Sequence, residues 1–172
     1  MPRLEAREGP TAALGSVGRV ASERVSGSRK RPFRVLSGTG RLLEIRLVDV
    51  CNPDDIVLLG AWLGEEAQSL GVPPVIFGDY RAASPFSQAV ADEWSRVMRA
   101  FNVKVARSAI ILSPENETFN LQFARVVRCA GSASRRCFLD AGELRQWLRE
   151  SLTEAERARV DEVLGSVVGA LV

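Results

Sequence analysis

A dense group of polar side chains follows an apolar run near the middle of the chain. The run is Val75–Asp79, and the group consists of Asp79, Tyr80, Arg81, Ser84 and Ser87. Ligands of open α/β sheets bind beyond the carboxyl ends of the strands, where such a group would lie. A carboxylate, a guanidinium and two hydroxyls at that edge could contact a partner or accept a phosphate. Alternatively, these residues have only a structural role where the strand ends. Asp79 and Arg81 then form a surface pair, and Ser87 caps the next helix.

A second polar group, Glu115, Asn116 and Glu117, follows the apolar run at 109–112. Two carboxylates this close could act as a general acid and base. No third group nearby defines a reaction, and acidic residues are common in the first turn of a helix, where they favour the positive end of its dipole. We therefore expect a helix start at this loop rather than a catalytic pair.

The composition excludes several enzyme chemistries. The 172 residues contain no histidine, which removes Ser-His-Asp and Cys-His catalysis and the commonest general base near neutral pH. Cys51, Cys129 and Cys137 lack the paired spacing of a zinc site, so we expect reduced, buried thiols and no metal. The run Gly38-Thr39-Gly40 lacks the third glycine of a dinucleotide-binding loop and joins two predicted strands. These absences predict a protein that is not an enzyme and needs no cofactor.

Five strands are predicted from short apolar runs bounded by turn residues, at 33–37, 41–50, 75–79, 103–112 and 136–139. In the second strand, the apolar residues Leu43, Ile45 and Leu47 alternate with polar residues such as Glu44. That period of two is typical of a strand with one buried face. The glycines at 38–40 indicate a turn, so the first two strands form a β-hairpin.

Five helices are predicted from cap residues and from the helical spacing of apolar side chains. Their predicted starts are Asn52, Ser87, Glu117, Asp140 and Thr153. Gly71 should end the first helix and Asn102 the second, both in the left-handed conformation. The order ββ-α-β-α-β-α-β-α-α predicts an α/β fold, with a mixed, mainly parallel sheet of about five strands covered by helices.

This element order resembles the SpoIIAA-like fold, which is shared by STAS domains, the sulfate-transporter and anti-sigma-factor-antagonist modules. The strand Val75–Asp79 before a serine-capped helix is similar to the central unit of that fold. The phrase Asp140-x-x-Glu143-Leu144-x-x-Trp147-Leu148, after the short strand at 136–139, is similar to its end. The resemblance covers residues 33–150.

The resemblance implies a non-catalytic regulatory module that acts by protein interaction in cytoplasmic signalling, with a protein partner that the sequence does not identify. STAS domains carry a phosphorylated serine in an Asp-Ser-Ser-Gly-like turn at a helix N-terminus. Ser87, and as a second candidate Ser84, lie at the matching place, but the preceding aspartate and the following glycine are missing. A small-ligand or lipid-binding domain of related fold is the alternative function, and a carboxylate-dependent enzyme is the least favoured.

The start of the chain differs in composition from the rest. Residues 1–32 are rich in Gly, Ser, Ala and Arg with few large apolar side chains, so we predict a basic, disordered arm there and a single domain over 33–172. Residues 1–34 hold eight basic and three acidic side chains, whereas the remainder has a net charge of −3. The cluster Arg29-Lys30-Arg31 could contact nucleic acid, but a solubilising tail is the preferred interpretation.

No apolar run approaches the roughly 18–20 residues that span a bilayer, and the first residues lack the apolar core of a secretory signal, so we expect a cytoplasmic protein.

The last predicted helix, over 153–172, has an apolar stripe and becomes nearly all apolar after Gly165. We expect it to pack on the domain, with a homodimer formed through the same helix as the alternative.

Overall fold

The computed structural model describes residues 33–50 and 52–166 of the chain. The strands are β1 (Phe33–Thr39), β2 (Leu42–Leu47), β3 (Val75–Asp79), β4 (Arg107–Ile111) and β5 (Arg135–Phe138). The helices are α1 (Pro53–Leu70), α2 (Gln88–Phe101), α3 (Glu117–Ala130), α4 (Ala141–Leu148) and α5 (Glu154–Gly165). A short 3-10 turn (Arg149–Ser151) joins α4 to α5. The predicted order of strands and helices is confirmed.

The five strands form one sheet in the order β1-β2-β3-β4-β5. β1 and β2 are an antiparallel hairpin, and every later pair of neighbours is parallel. On one face, α1, α2 and α3 pack over a core that includes Ile45, Ile76 and Ile110. On the other face, α4 and α5 pack over Phe77 and Ile111. The prediction of a mixed, mainly parallel sheet covered by helices is therefore confirmed.

Strand β2 differs from the prediction of a single buried face. Leu43 and Ile45 pack in the core under α1, α2 and α3, but Leu42 is buried in the core under α4 and α5. Glu44 points to the same side as Leu42 and is 5% exposed. Its carboxylate oxygens accept hydrogen bonds from Nε and Nη2 of Arg159 at 2.5 and 2.9 Å. Because β2 is an inner strand, a helix far along the chain covers its second face.

The predicted helix starts are confirmed by side-chain caps. Oxygens of Asn52, Ser87, Asn116, Asp140 and Thr153 each accept a hydrogen bond from a backbone N–H in the first turn of a helix. At the other end of α1, Gly71 takes the left-handed conformation with a φ of 67°. These signals are local, because each cap residue and its N–H partner lie within three or four residues of each other.

Asn102 does not end α2 in the left-handed conformation, since its φ is −55°. Its side-chain amide donates hydrogen bonds to the carbonyls of Ala130 and Gly131, at 2.7 and 3.2 Å. The amide therefore ties the end of α2 to the end of α3. The left-handed position at the end of α3 belongs to Gly131, whose φ is 64°.

Three predicted elements are shorter in the structure, and one of them is β2, which was predicted over 41–50 and spans Leu42–Leu47. β4 begins at Arg107 rather than at 103, because the N–H of Lys104 still donates to the carbonyl of Phe101 and continues the end of α2 as a turn. The helix predicted over 153–172 ends at Gly165, and the backbone of Ser166 is extended. Residues 167–172, and the arm predicted over 1–32, lie outside the described residues.

The thiols do not share one environment. Cys137 is half-buried, whereas Cys129 on α3 is exposed, so the expectation of a buried thiol is wrong for Cys129. Cys51 lies outside the described residues.

In the described part of the chain, none of the helices combines the length and the hydropathy of a membrane span.

Candidate functional site

The predicted polar group beyond the carboxyl end of β3 divides into buried, paired and exposed residues. Tyr80 is 2% exposed, and its ring packs against Trp94 and Phe123 with centroids 5.7 and 5.1 Å away. Burial raises the pKa of its phenol above the usual range, so the hydroxyl stays protonated. Its N–H donates to the carbonyl of Ile111 at 3.0 Å. Tyr80 therefore belongs to the core, contrary to its prediction as a contact residue.

Asp79 and Arg81 form a two-point ion pair at the end of β3. Nε and Nη2 of Arg81 each lie 2.9 Å from a carboxylate oxygen of Asp79. The same guanidinium donates to the carbonyls of Val163 and Leu164, at 3.1 and 3.2 Å. Those carbonyls lie in the last turn of α5, where the helix dipole favours a cation. The pair therefore connects β3 to α5, and most of the N–H groups of the Arg81 guanidinium donate hydrogen bonds within these two contacts.

The hydrogen bonds that Arg81 donates to Asp79 raise the pKa of Arg81 above its ordinary value, because they stabilise the charged guanidinium more than its partial burial destabilises it. Arg81 is therefore a permanent cation that holds α5 in place. The sequence indicated the pair with Asp79, but it held no signal for the contact with α5, which joins residues more than eighty positions apart.

Phe86 anchors the loop between β3 and α2. Its ring is 8% exposed and packs against Trp94 with centroids 5.5 Å apart. Its N–H donates to Oε1 of Gln122 at 3.1 Å, and its carbonyl accepts from Nε2 of the same side chain at 3.0 Å. Nδ2 of Asn116 donates to the carbonyl of Ala83 at 2.7 Å. Two side-chain amides from the α3 region thereby bind the loop backbone, and neither contact was predicted.

The exposed part of the site surrounds this anchor. The side chains of Ser84, Pro85, Ser87, Gln88 and Ala89 are exposed, and we call residues 84–89 the 84–89 turn. Ser87 Oγ accepts a hydrogen bond from the N–H of Val90 at 3.4 Å, which confirms Ser87 as the cap of α2. The first turn of α2 contains no acidic residue. The turn therefore presents two hydroxyls on a firmly held backbone beside the positive end of a helix.

The second polar group does not form a site. Glu115 and Glu117 are both exposed at the start of α3, and Asn116 between them caps the helix by accepting from the N–H of Phe119 at 3.2 Å. This is the helix start that the sequence favoured.

Burial raises the pKa of the Cys137 thiol to about 12, so it remains protonated at neutral pH. Within residues 33–50 and 52–166, no three potential metal-ligating side chains cluster together.

A groove of about 440 Å³ lies between α4, the 149–151 turn and α5. Its floor contains Leu148 and Val160, which are buried. Its other lining residues are mostly charged or polar: Arg145, Gln146, Arg149, Arg157 and Asp161, together with Leu152. Arg145 is paired with Asp161 at 2.5 Å, and both are about half exposed. Sequence analysis did not predict this groove, because it forms only when two consecutive helices pack side by side.

No protein-family model matches the chain, and no curated protein matches it in sequence. A crystal structure of an uncharacterised protein of the DUF3478 family from Shewanella loihica, which has a SpoIIAA-like fold, is similar with a TM-score of 0.51. The two are 18% identical, and the match covers 72% of this chain and 99% of that protein. This chain has a SpoIIAA-like fold.

The anti-sigma factor antagonist SpoIIAA, in its unphosphorylated form, is also similar, with a TM-score of 0.45, 16% identity and coverage of 78% of this chain and 99% of that one. The similarity to the DUF3478 structure confirms, for the fold, the resemblance drawn from element order. In this SpoIIAA-like domain, the 84–89 turn is the part of the predicted site that faces solvent, whereas Asp79, Tyr80 and Arg81 hold the structure behind it.

Proposed function

We propose that this SpoIIAA-like domain is a non-catalytic interaction module of cytoplasmic signalling, and that the 84–89 turn is the surface that contacts a partner protein. The observation that carries the proposal is the contrast within the turn. Phe86 is buried and both of its backbone polar groups are bound by Gln122, while Ser84 and Ser87 on either side are exposed. A surface held this firmly loses little conformational entropy when a partner binds.

A non-catalytic role is supported by the state of the reactive groups near the turn. Asp79 and Arg81 are committed to each other and to α5, and Tyr80 is protonated inside the core. The chain contains no histidine that could serve as a base at neutral pH. Binding, rather than bond making, is the activity that the remaining exposed hydroxyls support.

A matched pair of surface variants tests the turn. Ser84→Arg combined with Ala89→Arg adds two bulky cations at exposed positions and leaves the Ser87 cap intact. Val103→Arg is the control, because Val103 is 92% exposed beyond the opposite end of α2. In pulldowns from extracts of the source cells, we expect a protein retained by the wild type and by Val103→Arg to be lost from the double variant. Equal recovery with both variants would exclude the turn as the contact surface.

Phosphorylation of Ser87 is the regulation that the fold resemblance suggests and that the local charges support. A phosphate on Ser87 would lie beside the unpaired N–H groups of the first turn of α2, with no acidic side chain in that turn to repel it. With radiolabelled ATP and cell extract, we expect label in the wild type and in Ser84→Ala but not in Ser87→Ala. The loss of the cap in Ser87→Ala should also lower the free energy of unfolding by about 1 kcal/mol. Label that persists in Ser87→Ala rules this regulation out.

The groove between α4 and α5 is the feature that favours the alternative, a domain that binds a small ligand or a lipid. Its floor is apolar, and arginines lie along its rim. Native mass spectrometry distinguishes the two functions. An interaction module purifies at the chain mass of 18.8 kDa, whereas a ligand-binding domain that retains its ligand shows added mass.

A further inference from the structure

Trp147 of α4 lies against two arginines. The guanidinium carbon of Arg136 is 3.8 Å from the centroid of the Trp147 ring, and that of Arg107 is 4.4 Å from it. Arg107 begins β4, and Arg136 lies on β5 opposite Ala109, which packs in the core under α4 and α5. Because residues two apart on a strand share a face, both arginines lie on the face of the sheet that α4 covers. Three separate elements thus bring two cations onto one indole.

The two guanidinium groups are not neutralised within the part of the chain that the structure describes. Arg81 is paired with Asp79, for example, but neither Arg107 nor Arg136 forms an ion pair with a carboxylate. Glu143, about one helical turn before the tryptophan on α4, is exposed and pairs with neither of them. Two like charges this close repel each other, and an indole attracts a cation but carries no net charge. The cluster therefore keeps an excess of positive charge.

The cluster also holds more hydrogen-bond donors than acceptors. Nη1 of Arg107 donates to the carbonyl of Trp147 at 2.5 Å, and this is the one hydrogen bond that the two guanidinium groups make among the described residues. Nε1 of Trp147 is buried and has no acceptor among those residues. A guanidinium carries five N–H donors and no acceptor. A ligand that suits the cluster brings negative charge and several oxygen acceptors.

We propose that Arg107, Arg136 and Trp147 form a binding site for a phosphate group, supplied by free phosphate or by a small phosphate monoester. The planar donor fork of arginine matches the oxygens of phosphate, and a dianion matches two positive charges. The site is accessible because Arg136 is exposed and β5 is an edge strand of the sheet.

The proposed phosphate site is separate from the 84–89 turn. Arg107 lies at the amino end of β4, whereas the turn follows the carboxyl end of β3, which runs parallel to β4. The two surfaces are therefore at opposite ends of the strands. The phosphate site does not rest on the function proposed for the turn.

The indole N–H of Trp147 reports on this site directly. The chain contains three tryptophans, so nuclear magnetic resonance of an isotope-labelled sample gives three indole signals, and Trp147→Phe identifies the relevant one. Inorganic phosphate is titrated at about pH 8, where it is largely a dianion, with sodium chloride keeping the ionic strength constant. We expect a saturable shift of the Trp147 signal. Trp94 is the internal control, because it is 2% exposed in the core on the other face of the sheet.

Arg136 variants separate a built site from general attraction of anions. Arg136→Gln removes one exposed cation and should weaken phosphate binding by about tenfold, the effect of one charge-assisted hydrogen bond. Arg136→Lys keeps the charge but not the planar fork, so its loss should be smaller than that of Arg136→Gln. Arg125→Gln is the matched control, because Arg125 is exposed on α3, which packs on the other face of the sheet, and it should bind phosphate like the wild type.

Glycerol phosphate distinguishes the two sources of the phosphate group. Tighter binding of glycerol phosphate than of inorganic phosphate would identify the ligand as a monoester, and the reverse would identify the free ion. Equal affinity would mean that the phosphate group alone is recognised. The proposal is overturned if the Trp147 signal does not move, if chloride moves it as far as phosphate does, or if Arg136→Gln binds phosphate as tightly as Arg125→Gln.

Discussion

Glu156→Ala is expected to lower the free energy of unfolding by about 3 kcal/mol, a large effect for one residue in the first turn of a helix. The carboxylate is 1% exposed. One oxygen accepts the N–H of Arg41 at 2.7 Å, and the other accepts the N–H and the hydroxyl of Thr153 at 2.7 and 3.0 Å. Alanine leaves these donors without an acceptor in a buried place.

The Glu156 carboxylate also joins distant parts of the chain. Arg41 follows the tip of the β1–β2 hairpin, and Thr153 caps α5, so one side chain fixes the hairpin to the helix that covers the back of the sheet. The fit is close at Gly40, whose φ is 57° and where an added Cβ would collide with the Glu156 carboxylate. Urea denaturation measures the loss. Glu154→Ala is the control, since Glu154 is exposed in the same turn and its removal should change stability by less than about 0.5 kcal/mol.

The same carboxylate makes this contribution dependent on pH. Burial alone would raise the pKa of Glu156, but the N–H groups of Thr153 and Arg41 outweigh it and hold the pKa below the usual range. A lowered folded-state pKa means that the stabilisation is complete above the unfolded value of about 4.3 and is lost as the pH falls through the folded value. The stability difference between the wild type and Glu156→Ala should therefore narrow below about pH 4. A constant difference down to pH 3 would show that the charge is not what stabilises the contact.

The element order could be predicted because its signals lie close together in the sequence. Asn52, for example, accepts the N–H of Asp55, and the Asp55 carboxylate accepts the N–H of Asn52 in return, all within four residues. Such caps act before any tertiary contact forms, so residue types and spacing suffice to find them.

Contacts between distant residues account for most of what the sequence did not show. The sequence predicted that Glu44 faces solvent, because its partner, Arg159, lies 115 positions away. Arg81 was predicted to lie at the surface for the same reason, since its carbonyl acceptors belong to α5. Periodicity assigns residues to the two faces of a strand, but it does not state which later helix covers a face.

In the candidate site too, the sequence predicted local contacts but not contacts between distant residues. Ser87 was recognisable as a cap from its position before an apolar helical stripe, and the structure confirms it. The burial of Tyr80 was not recognisable, because it depends on Trp94 and Phe123, which come from two later helices. Polarity therefore indicated residues at the carboxyl end of β3, but it did not distinguish residues that face solvent from those that support the turn.

Trp94→Ala is expected to have the largest effect on the domain, a loss of about 4 kcal/mol in the free energy of unfolding. Trp94 is 2% exposed, and its ring contacts those of Tyr80, Phe86 and Phe123 with centroids 5.0 to 5.7 Å apart. Truncation leaves a cavity and removes three aromatic contacts at once. Trp94→Phe fills most of the space and should lose less than half as much.

The same substitution should loosen the 84–89 turn, because Phe86 is its only buried side chain and rests on Trp94. Under conditions where Trp94→Ala remains folded, hydrogen exchange of the amides at 84–89 should accelerate more than that of the amides in α1, which does not contain the aromatic cluster. The hydrogen bonds from Gln122 to Phe86 provide the comparison, since Gln122→Ala removes them while leaving the ring packed. If Trp94→Ala accelerates exchange equally in the turn and in α1, the aromatic cluster stabilises the domain as a whole and does not hold the turn in particular. Preferential acceleration in the turn would mean that the core aromatics set the rigidity of the surface proposed to bind a partner.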